Sequence, residues 1–345
     1  MSSSVQPLRS SKSFIKRLPW GKGFTYRNAG KTVDDNTRSW IKSLVIPPAW
    51  QDVLISTDPQ AKVLATGRDA KGRKQYIYNE SFRAQQEAKK FERITDFADR
   101  LPHMRSTTSR YLKEPGFNRA KVLSCMVRLI DHAYFRPGSP KYTEENHSYG
   151  LTTLRSKHLE ISGNKIEFEY QGKSGIEQSK VIEDRRLAEI VRSLDEIPGY
   201  EIFKYFDESG QKVYVNADDL NSFIRQIMGQ EYSAKDFRTW AGTYLAAVLL
   251  NQFGIQNSNK LQEKLIVRAV DQVAEKLGNT RAIARSNYID PCIISEYQNG
   301  RTIGPYINEL KREVSSKDNL TSSEEKAVLK MLNQAKEMVD RKAAG

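Results

Sequence analysis

The spacing of apolar residues changes once along this chain, near Ser81, and the change demands two differently built units. Between Gly21 and Tyr78 the apolar runs are short, at residues 53–55, 62–65 and 75–78, and Asp-Pro, Thr-Gly and Lys-Gly steps separate them. That is the pattern of strands and turns. Residues 81–99 contain no Gly or Pro and are rich in Ala, Glu, Lys and Gln, the composition of a helix that links two domains. Val122, Met126, Leu129 and Ile130 then fall at helical spacing and predict a second helix ending near His132. Strands are expected at 153–161, 165–171 and 178–182, with Gly172-Lys173-Ser174-Gly175 turning the last pair and Lys173 at the tip. After Asp218 the pattern is helical to the end, where Val328, Met331, Leu332, Ala335 and Val339 share one face. The expected fold is α+β. A flexible basic arm (1–20) precedes a small β-rich domain (21–85), and a larger, mainly helical domain with a small sheet follows (86–345).

A chain of 345 residues is long enough for two cores. No apolar run reaches the length of a membrane span; the longest, 244–250, reads as part of a buried helix. Cys125 and Cys292 are too few for a disulfide scaffold or zinc finger and read as reduced thiols in a cytosol-like compartment. The expectation is a soluble intracellular protein. An Arg- and Ser-rich organelle transit peptide is the alternative reading of the first residues, without a convincing amphipathic stripe. Positive charge is concentrated: the whole chain carries +13, and residues 1–90, with 17 basic and 7 acidic side chains, carry +10 of it. Such a surface favours a polyanion, because neutralising phosphates releases counterions.

Phosphate-loop, H-E-x-x-H, paired-Cys and clustered-Asp motifs are missing, as is a nucleophile elbow. His103, His132, His147 and His158 lack ligand-like spacing and read as structural or DNA-facing. No metal or cofactor is expected. Chemistry on a phosphate would then rest on side chains alone. Guanidinium forks would hold the non-bridging oxygens, a nucleophile would attack, and an acid would protonate the departing alcohol. Two arginines, a lysine and a tyrosine meet that demand, and a phosphotyrosyl ester conserves bond energy for resealing.

Six segments, in order, carry a resemblance. FRPGSPKYTEENHSYGLTTL (135–154), QGKSG around Lys173, KDFRTWAGT (235–243) and LGNTRAIARSNY (277–288) resemble the catalytic blocks of type IB DNA topoisomerases, in the small viral and bacterial branch. IPPAW (46–50) and TGRDAKGRKQYIY (66–78) resemble that branch's DNA-clamping domain. The resemblance implies that Tyr288 attacks the phosphodiester, that Arg136 and Arg238 hold its non-bridging oxygens, and that Lys173 protonates the leaving 5′-oxygen. At the position where many members carry histidine this chain has Asn279, which donates a hydrogen bond without charge. Lys235 would touch phosphate or back up the proton transfer.

Each residue also has an ordinary reading: Lys173 solvated at a turn, Arg136 capping a helix C-terminus, Arg238 paired with Asp236, Tyr288 a half-buried aromatic. The order of the blocks outweighs these. In the first domain Arg68, Lys71, Arg73 and Lys74 interleave with Gln75, Tyr76 and Tyr78. Strand alternation puts the two tyrosines on one face and Gln75 on the other, so the basic groups suit the backbone of duplex DNA while Gln and Tyr suit bases or sugars. The alternative packs the tyrosines into the small core.

The resemblance implies an enzyme that nicks one strand of duplex DNA, lets it swivel and reseals it without ATP or metal. It would act as a monomer closed around DNA like a clamp, in the cytoplasm or nucleoid and away from membranes. A site-specific tyrosine recombinase shares the Arg-Lys-Arg-Tyr chemistry, but usually shows a His just before the second arginine, where this chain has Lys235-Asp236-Phe237. An architectural DNA-binding protein with impaired catalysis is the third reading.

Overall fold

A computed structural model describes residues 14–313 and 320–344. The chain divides into two compact units, Met1–Lys90 and Phe91–Gly345. The fold is mixed α/β as expected, with a β-rich first unit and a larger helical second one.

The first unit is built on one antiparallel sheet. Its strands are β1 (Phe14–Trp20), β2 (Gly23–Asn28), β3 (Lys31–Thr32), β4 (Gln51–Ser56), β5 (Val63–Arg68) and β6 (Lys74–Tyr78), in the order β3-β2-β1-β4-β5-β6. Helix α1 (Asp35–Ser43) is started by Asp34, whose carboxylate accepts from the Thr37 amide at 2.7 Å. Ile15, Ile41, Val53, Ile55 and Ala65 form the core, and Trp40 and Trp50 pack against it. Part of the expected basic arm is therefore structured: Phe14–Trp20 is a sheet strand, with Ile15 opposite Ile55. Residues 1–13 of that arm lie outside the described residues.

The inward position after Ile15 on β1 is taken by Arg17, which is buried. Its guanidinium donates to the carbonyls of Ile46, Pro47, Pro48 and Trp50, at 3.4, 3.1, 3.4 and 2.5 Å, and stacks on Phe24. The loop at 46–50 contains two prolines, which have no N–H of their own. One arginine satisfies the loop's carbonyls from inside, offsetting the cost of burying its charge.

The β-to-helix change falls where the spacing put it. Helix α2 (Glu80–Glu92) leads into α3 (Ile94–Tyr111), and α4 (Arg119–Ala133) follows with Val122, Met126, Leu129 and Ile130 fully buried. Then come α5 (Pro140–Asn146) and the antiparallel sheet β7 (Leu159–Ser162), β8 (Lys165–Gln171) and β9 (Glu177–Glu183). The strand expected from 153 starts later, because residues 151–153 and 156–158 close into single 3₁₀ turns. Helix α6 (Arg185–Glu196), the hairpin β10 (Lys204–Phe206) and β11 (Lys212–Tyr214), and α7 (Ala217–Met228) lead to α8 (Ala234–Phe253). The rest is helical: α9 (Asn259–Leu277), α10 (Arg281–Asn287), α11 (Pro291–Gln298), α12 (Gly304–Glu313) and α13 (Ser323–Ala344). Among the described residues no helix is long and apolar enough to cross a membrane.

Helix α13 is fastened to the core. Val328, Met331 and Leu332 are buried as the stripe predicts, whereas the Val339 side chain lies outside the described residues. Arg105 of α3 bridges Asp131 of α4 (2.8 and 2.9 Å) and Glu325 of α13 (2.9 Å), and also reaches the Leu320 carbonyl. Cys125 is buried in α4 and unpaired, as is the half-buried Cys292.

Candidate active site

Four elements of the second unit converge on the end of α9. After α4 the chain leaves through Tyr134 in the left-handed conformation, with φ 60°. Phe135 is then buried against Phe168 and Tyr170 of β8, at ring-centroid distances of 5.3 and 6.0 Å. This anchor sets where Arg136 leaves the core. The Arg136 carbonyl accepts from the Leu151 amide at 2.9 Å, and the Thr152 amide donates to Pro137 at 2.6 Å. A Cβ on Gly150 would come within 2.6 Å of Gly138, so the close backbone crossing behind Arg136 requires glycine.

Arg238 lies near the start of α8 and is 2 % exposed. It donates to the Tyr134 carbonyl at 2.5 Å and the Leu277 carbonyl at 2.7 Å. The ordinary alternative for Arg238, an ion pair with Asp236, is not formed. Asp236 instead caps α8 through Ser233 and binds Arg93 at 2.6 Å. Arg136 donates to the Gly278 carbonyl at 3.0 Å and to the side-chain oxygen of Asn279. The reading of Arg136 as a cap on a helix C-terminus is thus realised, on α9.

Gly278 ends α9 with φ 60°, and Thr280 caps α10 by accepting from the Ile283 amide at 3.4 Å. Arg281 fixes α10 to α9 through Asp271, at 2.5 and 2.7 Å. Tyr288 follows the last turn of α10, half-buried, with the Arg238 guanidinium 5.0 Å from its ring centroid. Behind it a Cβ on Gly242 would sit 2.8 Å from the Tyr288 Cβ and closer still to its carbonyl. Thr243 donates to that carbonyl at 3.3 Å and accepts from the Asp290 amide at 3.0 Å. Burial pushes the Tyr288 phenol up, but the charge and hydrogen bond of Arg238, with Arg136 and Lys235, outweigh it and hold the phenol below its ordinary value.

Two buried donors at this site have no partner among the described residues: Arg238 Nε and Asn279 Nδ2. An unsatisfied buried donor is costly, and an acceptor entering between them would satisfy both.

Arg136, Arg238, Asn279 and Tyr288 are thus brought together. Lys173 stands apart at the exposed turn between β8 and β9, where Ser174 takes φ 64°. Lys235 is exposed on the first turn of α8 and acts on Tyr288 through its charge. Among the histidines, His158 accepts from the Arg155 amide at 3.1 Å through Nδ1 and packs on Tyr149, a structural role.

The basic hairpin of the first unit is organised by Asp69, which the sequence reading did not single out. Its carboxylate accepts from the Lys71 and Arg73 amides, from Arg73 Nε at 2.7 Å and from Gln75 Nε2 at 2.9 Å. Arg68 donates to the Gly72 carbonyl at 2.9 Å. Tyr76 and Tyr78 stack at 5.8 Å on the exposed face, and Lys74 lies over Tyr76. The alternative that packed these tyrosines into the small core is overturned.

Lys180 also escaped the sequence reading. Strand β9 alternates buried and exposed residues, which places Gln178, Lys180 and Ile182 inward, and that alternation was its available signal.

Comparison with known proteins settles the family. The profile described as "Eukaryotic DNA topoisomerase I, catalytic core" matches residues 79–316, more than half of the chain. The chain belongs to the type IB DNA topoisomerases. A second profile, "Bacterial DNA topoisomerase IB, N-terminal domain", matches residues 23–69 of this topoisomerase. The DNA topoisomerase 1B of Acanthamoeba polyphaga mimivirus is 34 % identical over 296 residues, 83 % of this chain and 88 % of the viral protein. That of Vaccinia virus (strain Copenhagen) is 25 % identical over 284 residues, 79 % of this chain and 87 % of its own length. The DNA topoisomerase 1 alpha of Arabidopsis thaliana is 22 % identical over 73 % of this chain, which spans 25 % of the plant protein.

Proposed function

We propose that this topoisomerase relaxes supercoiled duplex DNA by cutting and resealing one strand, without ATP or metal, through a 3′-phosphotyrosyl intermediate. The Tyr288 phenol gives up its proton to solvent as its oxygen attacks the phosphorus, the bond to the 5′-oxygen breaks, and Lys173 gives that oxygen a proton. Arg136 and Arg238 neutralise the non-bridging oxygens, and Asn279 donates to one of them through its amide. Lys235 adds positive charge near the phenol. After the free strand swivels, its hydroxyl attacks the phosphotyrosyl bond and Tyr288 leaves, so no bond energy is lost.

The observation that carries this reading is the pair of unsatisfied donors, Arg238 Nε and Asn279 Nδ2, beside a phenol whose proton is weakened by the same arginine. A phosphodiester supplies the missing acceptors. Duplex DNA is the partner, supported by the basic first unit and its exposed tyrosine pair. We take the working form to be a monomer acting on nucleoid or cytoplasmic DNA.

Supercoiled plasmid incubated with the protein in EDTA without ATP tests this. Loss of supercoils of both signs by the wild type, and none with Tyr288→Phe, is the expected result. Relaxation by Tyr288→Phe removes the nucleophile assignment. Joined products confined to two special sites mark a recombinase, and bound but untouched plasmid marks an architectural protein.

A further inference from the structure

The last carbonyls of α9 are held by three cations from three separate elements. Lys180 of β9 donates to Lys276 at 2.8 Å, Arg238 of α8 to Leu277 at 2.7 Å, and Arg136, after α4, to Gly278 at 3.0 Å. The end of a helix exposes unpaired carbonyls and partial negative charge, so donors there are expected. What is unusual is the choice of lysine for the first of them. Lys180 is 7 % exposed, on the same inward strand face as Ile182. An aliphatic residue would fill that space without the desolvation cost of an ammonium. Burial, with Arg238, Arg136 and Lys276 adding repulsion, pushes the amine down to about 7, and either protonation state keeps an N–H for the carbonyl.

The two arginines are assigned above to the phosphate, and this inference rests on that reading. A guanidinium that turns toward substrate loosens its hold on α9. Lys180 is also buried and, among the described residues, its ammonium bonds the helix end alone. We infer that Lys180 is a positioning residue for strand transfer: it keeps the end of α9, and hence Asn279 and the start of α10, in place while Arg136 and Arg238 engage the phosphate. Its neighbour Gln178 supports the same turn, packed so closely against Gly278 that a Cβ there would overlap the Gln178 amide. Strand β9, which leaves the Lys173 hairpin, is thereby fixed to the turn that leads to Tyr288.

Single-turnover cleavage of a short duplex by wild type, Lys180→Met and Lys180→Arg tests the inference, with thermal melting and duplex affinity measured alongside. Methionine keeps the volume and removes the donor. Lys180→Met should bind the duplex as wild type does and cleave about 10- to 100-fold more slowly, the cost of a small misplacement of reacting groups. Lys180→Arg should recover most of that loss. The defect should persist on a duplex with a 5′-bridging sulfur, which leaves without a proton. Cleavage by Lys180→Met at the wild-type rate overturns the inference, and so does rescue by sulfur, which would assign Lys180 to proton donation instead. Should Lys180→Met fail to fold, hydrogen exchange decides. In the Tyr288→Phe chain the amides of Gly278 and Asn279, bonded to Glu275 and Ala274 at 3.0 and 2.8 Å, should stay protected when duplex binds. Loss of their protection on binding overturns the inference. A wild type that forms no covalent adduct would defeat the underlying assignment of the site, an outcome separate from all of these.

Discussion

The guanidinium of Arg238 lies 5.0 Å from the centre of the Tyr288 ring, and the two residues share a boundary at which α8 carries no side chain. One arginine thereby does two things to one phenol: it fixes the ring from the side and stabilises its anion. Burial opposes the second effect, and the balance favours the charges of Arg238, Arg136 and Lys235.

This balance predicts a pH profile. The phenol's proton leaves at lower pH than in free tyrosine, so single-turnover cleavage should rise with pH and level off below pH of about 10, the ordinary tyrosine value. Lys235→Gln removes one stabilising charge, and its plateau should begin at higher pH. An unmoved profile in that variant would show that Lys235 does not act on the phenol.

Gly242→Ala tests the shared boundary. The added methyl would lie 2.8 Å from the Tyr288 Cβ, too close for either helix to remain where it is. Overpacking of this kind costs about 1–3 kcal/mol, which urea titration would read. Cleavage should fall more than stability accounts for, because the displaced residue is the proposed nucleophile. A fully active, equally stable variant would contradict the geometry.

The ion cluster behind α13 predicts acid sensitivity. Burial pushes the Asp131 carboxyl up, but hydrogen bonding and charge from Arg105 outweigh it, so its folded value lies below the ordinary one. The sign follows: this stabilisation is complete above the unfolded value near 3.8 and is lost as pH falls through the lower folded value. Breaking the cluster with Arg105→Ala leaves the carboxylates of Asp131 and Glu325, with side chains 7 % and 12 % exposed, without that partner and should cost up to about 3 kcal/mol at neutral pH. Urea titrations at pH 7 and in acid would measure both effects.

The exposed face of β6 predicts a separable effect on DNA. Lys74→Ala should leave the melting temperature unchanged, weaken duplex binding, and lower the slope of log affinity against log salt by about 1, as for one lost phosphate contact. Tyr76→Ala should weaken binding with the salt slope intact. Affinity that does not respond to salt in the wild type would mean that the positive first unit does not meet DNA.

Much of this was legible before any coordinates. The helical character of residues 81–99, though not the break at Arg93 that divides it between α2 and α3, the buried stripe of α4 and the tip position of Lys173 follow from periodicity, composition and turn residues, which are local properties. Arg136, Arg238, Asn279 and Tyr288 were named from ordered motifs, although nothing in their separation along the chain, from 136 to 288, says that they meet. What escaped were residues whose chemistry contradicts their location. β1 looked like a basic arm because its inward position holds Arg17, which a strand pattern expects to be apolar. Lys180 was passed over for the same reason, although the alternation of β9 turns it inward beside Ile182. Asp69 gave no signal because its four hydrogen bonds depend on how a hairpin folds back on itself.

The arginines at the end of α9 rest on neutral oxygens, those of Tyr134, Leu277, Gly278 and the Asn279 amide. A carboxylate in the same place would hold them more tightly and would have to be displaced by every incoming strand. Backbone dipoles hold the forks in shape while ceding them readily to a full negative charge. Such a site is assembled in advance yet easily vacated, which suits the proposed cycle of cutting and resealing, in which each strand must be gripped and then let go.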